Sequence, residues 1–553
     1  MIKRTDRFLT VLLVLSTALC VAGTAVPSAH AQAGIRDITD DEIAITLDLL
    51  LQSRTYDAMT YLDSLESECA GEPLFMLTRA RVFQNLVTAV DDRTDRAKEL
   101  SQPALTTLEA VVDTCTKRVK SGDDDPKLLL YRGWARMQKA HLHALARAFY
   151  TAGREAGRGK KDLEKYLELH PDDPTANGLL GAYLYFTHAV PKVFKFLSKL
   201  LFLPTGDRER GLEMLDRALV GDGPHVIDYV LTVNFIHFFL EGRIEESLAN
   251  TEELLVRYPH YPRSMMALAM AGPYVPSRYP EYNTLIKRMI AGVNAGSTKN
   301  IDWNSLYTVM VYRAYADRYL SNPRLAEARF RSIIHESPDH PDWVEGFARF
   351  ELGQICAGDG RAGEARELFE SIVDDKRHER FRDSAKKMLK DLEKYTGVTT
   401  TPVAWPDGLW IETVYRSGPD SLEALLPRFE DLAQVSLPAA FYTGECLMLL
   451  EDFANATGWY QRVVDWKSPA WLDTYRLIAS TRIAEIHALN GNYELAAEYQ
   501  KRALDFYHNE YRVDWIIEGR HGYFERLAKG MENLPAPTLF SPSGLGTNSM
   551  RGD

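Results

Sequence analysis

Cysteine is scarce in this chain. Five occur among 553 residues: Cys20 near the start, then Cys69, Cys115, Cys356 and Cys446, widely separated. None forms a CxxC pair, which excludes the spacing of a zinc ribbon or a thioredoxin-like dithiol. HExxH, GxSxG, GxxxxGK[ST] and a GxGxxG after a strand-like segment are also missing, so no metalloprotease, serine-hydrolase, P-loop or dinucleotide signature is present. No catalytic residue, cofactor or metal site is assigned from the sequence. His141 and His143 stand two apart on a helical stretch, point in different directions and do not chelate together. His170, His335 and His340 sit beside Pro171, Pro338 and Pro341 in turns, where solvation is the ordinary state of an imidazole. Positive charge is in deficit too. The net charge is −12, which argues against nucleic acid or an anionic membrane as the main partner. Beyond residue 31 no run of 18 apolar residues offers a membrane span.

What the chain does have begins at its first residues. Lys3, Arg4 and Arg7 precede an apolar stretch from Phe8 to Val26, followed by Ala29-His30-Ala31, a small-x-small cleavage site. Residues 1–31 therefore read as a secretory signal, with export to a bacterial periplasm as the expected location. A retained anchor and lipidation at Cys20 are the alternatives. Ser16, Thr17, Gly23 and Thr24 break the apolar stretch, and Leu19 stands where lipoproteins carry a small residue.

Further along, one register returns: a small residue followed at four and seven by apolar residues. It occurs as Ala326, Phe330, Ile333; as Ala365, Phe369, Ile372; and as Ala456, Tyr460, Val463. Twelve positions ahead of the last two stand Gly353 and Gly444, where a missing side chain lets paired helices approach. This is the tetratricopeptide signature, a helical hairpin of about 34 residues that buries its apolar face only by stacking on neighbours. The expected fold is all-α, a tetratricopeptide-repeat helical solenoid with a right-handed superhelix, in two blocks.

The first block spans 37–395. It opens with a helical pair to Gly71, followed by longer helices over 73–90 and 93–120. Asp123-Asp124-Asp125 before Pro126 reads as an acidic helix cap rather than a calcium loop, which needs spaced oxygens and a central glycine. An expanded repeat covers 126–171. A first helix with Leu180-Gly181 then meets a partner delayed to Gly211, Leu215 and Ala218. Thr, Pro and Gly over 396–418 mark a linker. The second block, 419–534, holds two regular units and a capping helix, and 535–553 is a Pro/Ser/Gly-rich tail expected to be disordered. In the last unit Gln500 takes an apolar position, and Tyr499 is expected to fill the space. Cys356 and Cys446 read as buried small hydrophobes, and Cys69 with Cys115 as thiols that an oxidising compartment can pair.

The delay before Gly211 is an insertion, 190–204. Lys192, Lys195 and Lys199 share one face of a short helix, with Phe194, Phe196 and Phe202 among the apolar residues. It reads as a lid, as a peripheral membrane contact, or as an extra packed helix. Val190-Pro191-Lys192 through Leu203-Pro204-Thr205-Gly206-Asp207-Arg208, followed by Gly211-Leu212-Glu213-Met214-Leu215, resembles a segment of the inclusion-body-clearance family of tetratricopeptide proteins. That resemblance implies a repeat fold with an inserted helix and an association with mitochondrial outer membranes. This chain differs in carrying a secretory signal. An exported acidic repeat protein also resembles in architecture the periplasmic helper proteins of tripartite (TRAP) transporters.

The function expected from these observations is non-catalytic: an exported scaffold or adaptor that takes a protein or peptide in its concave groove. The alternative is a periplasmic component of transport that binds an apolar small molecule or lipid. First helices line the groove in this repeat, which places Val311, Tyr315, Arg318, Tyr319, Phe350, Gln354, Phe441, Glu445 and Met448 as candidate contacts. Aromatic, Met and Arg side chains there suit anchoring.

Overall fold

A computed structural model describes residues 36–52, 54–88, 95–146, 148–189, 206–220, 224–258, 261, 268–269, 279–294, 303–320, 323–336, 342–395, 418–506 and 513–531. Among them all regular structure is helical. The signal segment, the 190–204 insertion with all six of its candidate contacts, the linker up to residue 417 and the tail lie outside the described residues. No described helix is long and apolar enough to cross a membrane.

The chain forms two compact units. Unit 1 comprises Met1–Phe235, Arg257–Tyr261 and Gly292–Asn304, and unit 2 the remainder. The described helices on either side of 396–418 belong to the same compact unit.

Unit 1 is a run of hairpins: α1 (Asp40–Leu51) with α2 (Thr55–Cys69), α3 (Pro73–Thr88) with α4 (Asp95–Lys120), α5 (Lys127–Leu145) with α6 (Phe149–Leu169), and α7 (Pro174–Ala189) with α8 (Arg208–Leu219). The helix α9 (Val226–Phe235) follows. Local chemistry starts each pair. Thr39 and Glu42 form a reciprocal capping box on α1, which satisfies backbone N–H groups that have no partner inside the helix. Before α5, Arg118 Nε donates to Asp123 at 2.7 Å and the backbone N–H of Lys127 donates to Asp125 at 2.9 Å. The acidic run is thus a cap, as its spacing implies. Gly181 and Gly211 carry the delayed hairpin: a Cβ on Gly181 would meet the Gly211 carbonyl oxygen at 2.8 Å, and one on Gly211 the Tyr185 nitrogen at 2.7 Å. Backbone touches backbone there, so only glycine fits at this crossing.

Unit 2 begins with a π-helical turn, Ile236–Glu241, and continues through α10 (Ile244–Arg257), α11 (Tyr279–Asn294), α12 (Trp303–Leu320), α13 (Pro323–Glu336), α14 (Asp342–Gly358), α15 (Ala362–Asp374) and α16 (Glu379–Lys394). Past the linker come α17 (Pro419–Ala433), α18 (Leu437–Leu449), α19 (Phe453–Asp465), α20 (Asp473–Leu489), α21 (Tyr493–Ala503) and α22 (Val513–Ala528). The repeat register is realised residue by residue. Ala326, Phe330, Ala365, Phe369, Ile372, Ala456, Tyr460 and Val463 are fully buried, and Ile333 nearly so. A Cβ on Gly353 would stand 2.7 Å from the Phe369 ring, and one on Gly444 2.6 Å from the Tyr460 ring. The first helices α14, α18 and α20 are buried on almost every side, the state of a helix packed on all faces.

The terminal helix does more than cap. α22 packs on α21 through Tyr523, Phe524 and Leu527 against Ala496 and Ala497, and it also meets the π-turn at the start of the unit. A Cβ on Gly519 would touch the Phe239 carbonyl oxygen at 2.9 Å, and one on Gly242 (φ +71°) the Arg520 Cα at 2.6 Å. Arg526 closes this contact by donating to the Glu241 carboxylate at 2.6 Å. Residues 285 positions apart are thereby joined.

Two expectations need correction. Gln500 itself fills the apolar position: it is fully buried and neither amide atom has a hydrogen-bond partner among the described residues, while Tyr499 packs half-buried against the neighbouring core and its hydroxyl donates to Gln461 at 2.8 Å. Cys69 and Cys115 are unpaired buried thiols, as are Cys356 and Cys446. Burial pushes Cys115, Cys356 and Cys446 up to about 12, so these sulfurs stay protonated and behave as small apolar groups.

Candidate functional site

First helices of successive hairpins face the inside of the stack, and in unit 2 this face carries charge. Arg318 on α12 pairs with Glu351 on α14 and donates to the Trp471 carbonyl at 3.0 Å. Gln354, one turn after Glu351, donates to it at 3.1 Å. On α18, Glu445 accepts from the Tyr460 hydroxyl at 2.7 Å and from Arg482 Nε on α20 at 3.0 Å. Arg482 Nη1 donates to Glu485 at 2.8 Å, and Glu485 lies 3.0 Å from Arg520 Nη1 on α22. Side-chain exposure is zero for Glu445, Arg482 and Glu485 and 2% for Arg520. Charges so deep in low dielectric are tolerable only when they neutralise one another, and the sequence Glu–Arg–Glu–Arg does so.

Every described residue named as a groove contact is committed to this interior. Val311, Tyr315, Arg318, Phe350, Gln354, Phe441, Glu445 and Met448 are all buried. Phe350 packs against the rings of Phe369 and Phe381, and Phe441 against Tyr442, Tyr460 and Tyr475. The face is the one the register implies, but its side chains contact other parts of unit 2 rather than solvent, because the unit's helices fold back on one another. The Tyr319 side chain lies outside the described residues.

Sequence reasoning missed the partners of Arg318 and Glu445. The signal was present as spacing: Arg318–Glu351, Glu445–Arg482 and Glu485–Arg520 are separated by 33, 37 and 35 positions, one repeat each. The same period recurs among less buried residues, where Arg331 pairs with Glu364 and Arg361 with Glu327.

Unit 1 has an inner face of its own. Arg81 on α3 reaches Asp228 on α9 at 3.2 Å, 147 positions away, and both are buried. Trp134 on α5 presents its edge to the ring of His225, centroids 5.8 Å apart. Gln138 and His141 follow Trp134 at four and seven residues on the same helix face, fully buried or nearly so. Among the described residues no group of three or more His, Cys, Asp or Glu side chains is placed to hold a metal ion.

Residues 312–380, from the second half of α12 to the start of α16, match the tetratricopeptide-repeat family. With the hairpin register, the glycine crossings and the helical stack, this match shows a chain that carries tetratricopeptide repeats in an all-α repeat fold, an architecture of protein-interaction scaffolds. No curated protein matches it. Among solved structures it is similar to a human IFIT1 dimer with PPP-AAAA, at 15% identity over 84% of this chain and 94% of that one, with a TM-score of 0.31. The P58(IPK) TPR domain is similar at 14% identity over 77% of this chain and 99% of that one, TM-score 0.18. A human IFIT1 dimer with m7Gppp-AAAA gives 13% identity over 90% and 94%, TM-score 0.24. These superpositions are loose, and the assignment rests on the repeat register and the family match.

Proposed function

We propose that the chain is an exported, non-catalytic scaffold that binds a protein or peptide partner through its repeats. The observation that carries this reading is the repeat stack of α12–α15, matched to a family of interaction modules. The chemistry-bearing groups support it. Glu351, Glu445 and Glu485 are each tied to an arginine inside the stack, where they build the interior and are not open to a substrate.

Native mass spectrometry of protein purified from its own source tests the partner class. A polypeptide retained at fixed stoichiometry is the expected result, whereas a retained apolar small molecule would replace the scaffold reading with the transport one. Export is tested separately. The mature protein is expected to begin at Gln32, after Ala29-His30-Ala31, and an intact Met1 on exported material refutes cleavage.

A further inference from the structure

We infer that His225 is part of an acid-sensitive latch that holds the inner face of unit 1 closed. Two contacts bring the start of α9 back to earlier hairpins: the Arg81–Asp228 ion pair to α3 and the edge contact of His225 on Trp134 to α5. The imidazole is buried, and among the described residues neither ring nitrogen has a hydrogen-bond partner. A neutral ring can occupy that place because burying one N–H and one acceptor nitrogen unpaired costs far less than burying a charge. An imidazolium cannot, since both N–H groups would carry charge with no acceptor.

The surroundings are arranged against protonation. Arg81 from α3 is the charged side chain whose field reaches the ring. Asp228, a turn further along α9, accepts from Arg81, and Asp222, three positions before the ring in sequence, lies outside the described residues. From α5 the ring meets Trp134. Helix α7 carries no acidic or basic residue before His188 at its end, and on α8 Glu209, Arg210, Glu213, Asp216 and Arg217 are exposed and Arg208 half-buried. Burial together with Arg81 pushes His225 down to about 3 from an ordinary 6.5.

The sign follows from linkage. A base whose folded value is depressed binds its proton only after the latch opens, so closure is fully favoured above about pH 6.5. It weakens as pH falls from there toward 3, by about tenfold in the opening equilibrium per pH unit for one proton. Opening would present Trp134, Gln138 and His141, side chains with buried polar atoms that have no partner in the closed face.

Hydrogen–deuterium exchange on the full chain between pH 7 and 5, corrected for intrinsic rates, reads this directly. Below about pH 6.5 peptides from α3, α5 and α9 are expected to lose protection about tenfold per pH unit while those from α18–α21 hold theirs. In His225→Gln the slope falls by one proton. An unchanged slope in that variant, or equal loss of protection in both units, overturns the latch. Should His225→Gln fail to fold, histidine-ring NMR of the wild-type chain decides the question. A ring that titrates near 6.5 while α9 amides stay protected contradicts the proposal, and one that takes up its proton only as α9 opens supports it.

Discussion

Replacing Arg482 by methionine is expected to destabilise unit 2 by about 3–5 kcal/mol, the cost of breaking a buried ion pair from one side. Arg482 has no exposed surface and stands between Glu445 and Glu485. Removing it takes the guanidinium from between two carboxylates in a site without solvent. Methionine keeps most of the volume, so a cavity adds little. The size of the loss therefore reports charge, and it should be largely recovered in Glu445→Gln/Arg482→Met, which removes the stranded carboxylate and keeps the buried Glu485–Arg520 pair. Urea denaturation of the three chains checks this. A single variant with a midpoint close to wild type would mean that water enters the interior and the ladder is not buried as described.

That ladder also shows which parts of the molecule were legible in its sequence. The hairpins were, because a small residue at one position and apolar residues four and seven later can be recognised locally. Gly353 and Gly444 were, because close approach of two helices excludes a side chain whatever lies beyond. The fate of the first-helix face was not. Whether Phe441 or Gln354 lines an open groove or a filled interior depends on how far successive hairpins turn, and that is set by many small contacts rather than by any one residue. Closure of unit 2 needs Gly519 against Phe239 and Arg526 on Glu241, and nothing in the sequence near Glu241 announces a partner so far along the chain. The burial of Gln500 was not legible for a related reason: the helix face fixes which position is buried, and the amide follows the backbone inward.

The two glycine crossings look alike in sequence and differ in what surrounds them, and substitution should expose the difference. At Gly353 an added Cβ meets the Phe369 ring, which is held by packing alone and can tilt. At Gly444 it meets the Tyr460 ring at 2.6 Å, and that ring is anchored by its hydroxyl on Glu445. Moving it would loosen the carboxylate that Arg482 requires. Gly353→Leu is expected to cost about 1–3 kcal/mol by overpacking. Gly444→Leu should lie at or above the top of that range, because overpacking there also disturbs a buried hydrogen bond to a charged group, worth about 1.5–3 kcal/mol. Alanine separates the two sites more sharply: Gly353→Ala is expected to be mild and Gly444→Ala clearly destabilising by urea midpoint. The coupling can be measured as well. In Tyr460→Phe the ring is free to tilt, so the Gly444→Ala penalty should shrink by more than the experimental error of a double-mutant cycle. Equal penalties at both glycines, with no coupling to Tyr460, would mean that the Tyr460–Glu445–Arg482 network does not hold the ring in place.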